Sequence, residues 1–75
     1  MKKLSDIPTG TTVVIREIQK DDFFLKLMEM GFIPGETVRV EQVAPLGDPI
    51  SVYVAGYNLS LRLNEAESVL VEELR

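Results

Sequence analysis

The chain has 75 residues, 45% of them apolar, no cysteine, no histidine and a formal net charge of −4. A disulfide framework and the Cys/His zinc frameworks are therefore excluded, and one domain over residues 1–75 is the expected organisation. Eight scattered Lys and Arg against twelve Asp and Glu argue against nucleic acid and against anionic lipid, which both demand clustered positive charge.

Lys2-Lys3-Leu4 can open a signal peptide, but Ser5, Asp6 and Pro8 interrupt the apolar stretch that would have to follow. No apolar run approaches the ~20 residues that span a bilayer, so the expected location is the cytoplasm, without direct membrane insertion. Leu4 and Ile7, three apart, are placed to tuck under a core. Thr11 to Ile18 is rich in β-branched residues and predicts a strand.

From Lys20 to Met30 the period changes. Phe24, Leu27 and Met28 follow the i, i+3, i+4 pattern of a helix with one core stripe. Asp21 or Asp22 is suited to cap its start. Gly31 fits the left-handed position just beyond its end, with Phe32 folding back as the hydrophobic contact. Pro34-Gly35 predicts a type II turn.

Thr37 to Val43 alternates, with Val38 and Val40 inward and Arg39 and Glu41 outward. Pro45 and Pro49 bracket a rigid hairpin loop with Leu46 at its tip. Ile50, Val52 and Val54 alternate again, Gly56-Tyr57-Asn58 reads as a tight connection, and Leu59, Leu61 and Leu63 continue the pattern. Asn64 and Glu67 resemble a capping box for one helical turn, and Val69 and Val71 belong to a closing strand. The order predicts a mainly β fold: a small SH3-like β-barrel with one inserted α-helix and a short helical turn. An OB-fold is the second choice and normally needs longer strands.

Phe23, Phe24, Leu25, Leu27, Met28 and Met30 wrap most of the helix, more than one buried stripe requires. Leu25 and Met30, with Leu46, are therefore expected to form an apolar patch of the kind that marks a protein contact. Glu65, Glu67, Glu72 and Glu73 read as a solvated acidic end. Without His or Cys, any Fe²⁺ or Mn²⁺ site would rest on carboxylates and carbonyls and would be weak and unselective. No intrinsic cofactor is expected. The serines lack a histidine partner, no phosphate-binding glycine loop occurs, and the expectation is that the chain is not an enzyme.

Four runs in order, Leu4–Gly10, Leu27–Gly35, Ala44–Ile50 and Gly56–Arg62, with the tail from Glu65-Ala66 to Val71, resemble the FeoA family of ferrous iron transport proteins. The resemblance spans nearly the whole chain. It implies an SH3-like fold and a role as cytoplasmic accessory protein to FeoB, the membrane ferrous iron transporter that carries a G domain. It implies transition-metal binding as a family trait, which the missing His and Cys do not favour here. The same module resembles the C-terminal domain of iron-dependent repressors. With no helix-turn-helix or dimerisation region read in these residues, such a repressor is not expected, and a metal-sensing module is the alternative function. Leu25, Met28, Met30, Leu46 and Tyr57 are the expected partner-binding residues; no catalytic or metal-ligating residue is expected.

Overall fold

The computed structural model describes residues 1–74. Among these, six strands form one antiparallel sheet: β1 (Lys2–Lys3), β2 (Thr12–Ile18), β3 (Thr37–Val43), β4 (Ile50–Val54), β5 (Tyr57–Leu61) and β6 (Val69–Glu73). Their spatial order is β1-β6-β2-β3-β4-β5. Two helices, α1 (Phe24–Glu29) and α2 (Leu63–Ala66), and a 3-10 turn at Leu4–Asp6 complete the chain. The 3-10 turn follows one edge strand, α2 follows the other, and the two pack on each other.

The core follows from the period of two. Val38 and Val40 of β3, Ile50, Val52 and Val54 of β4, and Val69 and Val71 of β6 all point inward and are buried. Leu4 and Ile7 close the core from below as expected, and Leu27, Phe32 and Ala66 cover it. In β2 the alternation breaks, because the register against β6 shifts between Ile15 and Glu17. Arg16 and Glu17 are consequently both exposed, and Ile18 returns to the core. A second shift, between Val40 and Gln42, interrupts β3 against β4.

Four local expectations change. Lys2 and Lys3 form a short edge strand on Val71 and Leu70 that the apolar pattern does not signal. Helix α1 is six residues long rather than spanning Lys20 to Met30, because Asp21 folds the preceding segment into turns. Tyr57 and Asn58 lie in β5, so the β4–β5 connection is the two-residue turn Ala55-Gly56, with φ of 52° and 85°. Positive φ at both central residues marks a type I′ hairpin, which here uses alanine where asparagine is usual. The N-cap of α2 is Arg62 rather than Asn64, and Glu65, not Glu67, reaches back to the capped N–H.

Candidate partner-binding surface

Leu46 stands at the tip of the β3–β4 hairpin. The Gly47 N–H donates to the Ala44 carbonyl at 2.7 Å, and the Ala44 N–H donates to the Pro49 carbonyl at 3.0 Å. Pro45 thus occupies the second place of a β-turn, with its φ already fixed, and Gly47 closes it at φ 89°. The third place falls to Leu46, which is 97% exposed. The loop is anchored from below as well: Asp48 Oδ1 accepts the Leu63 N–H at 3.0 Å. Asp48 therefore satisfies a free donor in the first turn of α2.

Helix α2 connects this loop to α1. Glu65 is almost fully buried, with its side chain 4% exposed. One carboxylate oxygen accepts the Arg62 N–H at 2.9 Å, and the other pairs with the Lys26 ammonium of α1. The Lys26 hydrogen bond, helped by the Arg62 N–H, outweighs desolvation and holds the Glu65 carboxyl below its usual range. Glu65 is therefore not part of a solvated acidic end. Alongside, the Ser68 hydroxyl donates to Asp21 Oδ2, and Asp21 Oδ1 accepts the Phe23 N–H at 2.9 Å. These bonds lower the Asp21 pKa, the Ser68 bond most. Asp21 thus folds the segment before the helix rather than capping it as expected: the N-cap position of α1 is Phe23, and no side chain caps it.

Helix α1 ends as its sequence implies. The Phe32 N–H reaches the Leu27 carbonyl at 3.0 Å and the Gly31 N–H the Met28 carbonyl at 3.1 Å, the two bonds of a Schellman motif. Gly31 has φ 103°, and a Cβ built there would lie 3.1 Å from the Ala55 Cβ. The C-terminal end of α1 is thus pressed against the β4–β5 turn. Phe32 and Leu27 are fully buried, which leaves Ile33, between Phe32 and Pro34, half exposed.

The five expected contact residues separate into two groups. Met28 and Met30 are half-buried and pack against the core, whereas Leu25 is 73% exposed on the other side of α1. Tyr57, 68% exposed, follows the turn that abuts Gly31, so it shares the β4–β5 end with the end of α1. Leu46 belongs to the opposite end of β4, a five-residue strand that spans roughly 17 Å at ~3.4 Å per residue. Sequence reasoning missed Ile33; its signal was that Phe32 takes the inward position after Gly31. It also missed the exposed Arg39–Tyr53–Glu41 group. Arg39 lies 5.4 Å from the Tyr53 ring centre and 2.9 Å from Glu41, which lowers the Glu41 pKa.

Two carboxylates of β6 are each matched with one cation: Glu72 with Arg16 and Glu73 with Lys2. Among the described residues no group of three or more Asp or Glu converges as metal donors would. This donor set does not fit a tight transition-metal centre. Among the described residues no helix is long and apolar enough to cross a membrane.

The FeoA domain model matches residues 2–73. A fusion of Fe(2+) transport protein A with the Fe(2+) transporter FeoB, from Porphyromonas gingivalis, is 41% identical over 71 residues. That stretch is 93% of this chain and 8% of the fusion, so the chain corresponds to a small part of that relative. A FeoA-like protein of Clostridium acetobutylicum superimposes with a TM-score of 0.91 at 37% identity, covering all of this chain and 92% of the other. FeoA of Stenotrophomonas maltophilia, solved with zinc and described as an SH3-domain protein, gives 0.84 at 34% identity over 96% and 91% of the two chains. A manganese-dependent transcriptional repressor shares the fold alone, at 21% identity and a TM-score of 0.89. The expected SH3-like architecture is thus the one found, and the chain belongs to the FeoA family.

Proposed function

We propose that this chain, taken as one FeoA unit, is a non-enzymatic cytoplasmic accessory protein of ferrous iron uptake. In this reading it docks on the cytosolic region of a FeoB-type membrane transporter and modulates it. One observation carries the proposal: in the P. gingivalis relative the FeoA sequence is joined to FeoB in a single polypeptide. A covalent link holds two modules at a high effective concentration. A chain separate from its transporter must replace that link with affinity, which needs an accessible apolar surface. Accessible apolar side chains stand at separate places: Leu46 at the tip of the β3–β4 loop, Tyr57 at the opposite end of β4, and Leu25 on α1, with Met28 and Met30 partly accessible. Modulation follows only if one transporter state is bound better than another, because a ligand with equal affinity for both shifts nothing.

The test is an NMR titration of isotope-labelled, metal-free protein with the soluble G-domain region of a cognate transporter, repeated in each nucleotide state. Amide shifts confined to α1, the Pro45–Pro49 loop and Tyr57, differing in size between nucleotide states, are expected. Saturating transporter region without shifts in any state would refute the docking.

The zinc complex of the S. maltophilia relative favours a second reading, a metal-sensing module in which carboxylates bind Fe²⁺ or Mn²⁺ weakly. Paramagnetic Mn²⁺ would then broaden one acidic segment, such as Glu65 to Glu73, before any other signal. Uniform broadening across the surface would remove this alternative.

A further inference from the structure

The two edges of the sheet differ in kind. The β1 edge is two residues long, and both are lysine. Short length and lysine are what proteins use to keep a sheet edge from pairing with another chain. The β5 edge is five residues long, Tyr57-Asn58-Leu59-Ser60-Leu61, with no charge and no proline.

The free hydrogen-bonding groups of β5 can be located. Val54 and Tyr57 flank the two-residue turn and exchange the bonds that close it. Opposite pairs alternate along an antiparallel ladder. Val52 and Leu59, then Ile50 and Leu61, are hydrogen-bonded pairs, while Tyr53 with Asn58 and Ser51 with Ser60 are not. The N–H and C=O of Asn58 and of Ser60 therefore point away from β4. Both residues are exposed. No turn, loop or side-chain hydrogen bond among the described residues engages these four groups.

We infer that this edge is a self-association surface at which a second copy of the chain adds its own β5 in antiparallel orientation about a two-fold axis through Leu59. The occupant follows from the register. With Leu59 opposite Leu59 of the other copy, Asn58 faces Ser60 on both sides. Each facing pair exchanges two backbone bonds, so all four free groups of each copy are satisfied at once. This is the isologous arrangement that a two-fold interface requires. The strand adds no like charges across the axis, and the half-buried Leu59 side chains meet at the close, non-hydrogen-bonded position. The inference does not rest on the transporter reading.

Sedimentation and amide shifts of the full chain, followed from micromolar to millimolar protein, test it. Wild-type protein should dimerise with concentration, with shifts led by the amides of Asn58 and Ser60. Ser60→Pro removes an outward N–H and no β4 bond, a placement that edge strands tolerate. It should raise the dimer dissociation constant by about tenfold, through the bonds lost on both sides of the axis. Should that variant misfold, Ser60→Lys supplies the same test by charging the edge. A wild-type chain that stays monomeric throughout, or folded Ser60 variants that dimerise undiminished, would overturn the inference.

Discussion

The two ends of β4 solve opposite problems. At one end the Ala55-Gly56 turn is pressed against Gly31, and the nearby methionines of α1 are half-buried in the core. At the other end a proline-initiated turn lifts Leu46 almost wholly into water. Apolar residues at the first end serve the fold even where they are partly visible. Leu46 touches so little of its own chain that its side chain adds almost nothing to stability. The difference teaches where a binding defect can be separated from a folding defect: cleanly at Leu46, and only partly at Met28 or Met30.

Substitutions sharpen that contrast, the largest at the packed end. Phe32→Ala empties the fully buried contact of the helix C-cap and should cost about 3–5 kcal/mol in urea unfolding. For a domain of this size that approaches the whole margin of stability. Gly31→Ala should cost about 1–3 kcal/mol, since alanine is strained at φ 103° and its Cβ crowds Ala55. Adding Ala55→Gly should recover the crowding component and leave the backbone component. An undiminished loss in the double variant would show that the close approach does not matter.

Glu65→Gln comes next, at about 1 kcal/mol near neutral pH. Because pairing with Lys26 depresses the Glu65 pKa, its contribution is present above the unfolded carboxylate value, roughly 4.3. It is lost as pH falls through the lower folded value. The difference between wild type and Glu65→Gln should therefore shrink to nothing on acidification, and a gap that widens toward low pH would contradict the pairing. The smallest stability effect belongs to Leu46→Asp, within about 0.5 kcal/mol by thermal unfolding.

Much of this was legible from residues alone, for reasons that also explain the misses. Val38, Val40, Ile50, Val52 and Val54 announce strands because a half-buried sheet imposes a period of two. Gly31-Phe32 and Pro34-Gly35 announce their turns because few other residues reach those backbone angles; the Glu36 N–H to Ile33 carbonyl bond closes the second. What stayed hidden depends on partners distant in sequence. At the start of α2, the Leu63 N–H is satisfied by Asp48, fifteen residues earlier, a partner that no local pattern around Arg62 and Glu65 announces. Glu65 looked like one more surface carboxylate until Lys26, 39 residues away, was placed beside it. The register shifts in β2 and β3 leave no local trace, and alanine at φ 52° runs against its own preference. Of the candidate surface, the exposure of Leu46 was readable from its Pro-Leu-Gly turn. The division of Met28, Met30 and Leu25 between core and solvent was not, since apolar residues wrap most of α1.

The central claim is that residues idle in the fold form the docking surface. Its most direct test is isothermal calorimetry of wild-type and Leu46→Asp protein against the soluble cytosolic region of a cognate FeoB-type transporter, with thermal unfolding of both recorded alongside. The account predicts measurable binding by wild type, at least a tenfold weaker affinity for the variant, and superimposable unfolding curves. Equal affinities, or a variant that binds poorly only because it has lost its fold, would contradict it.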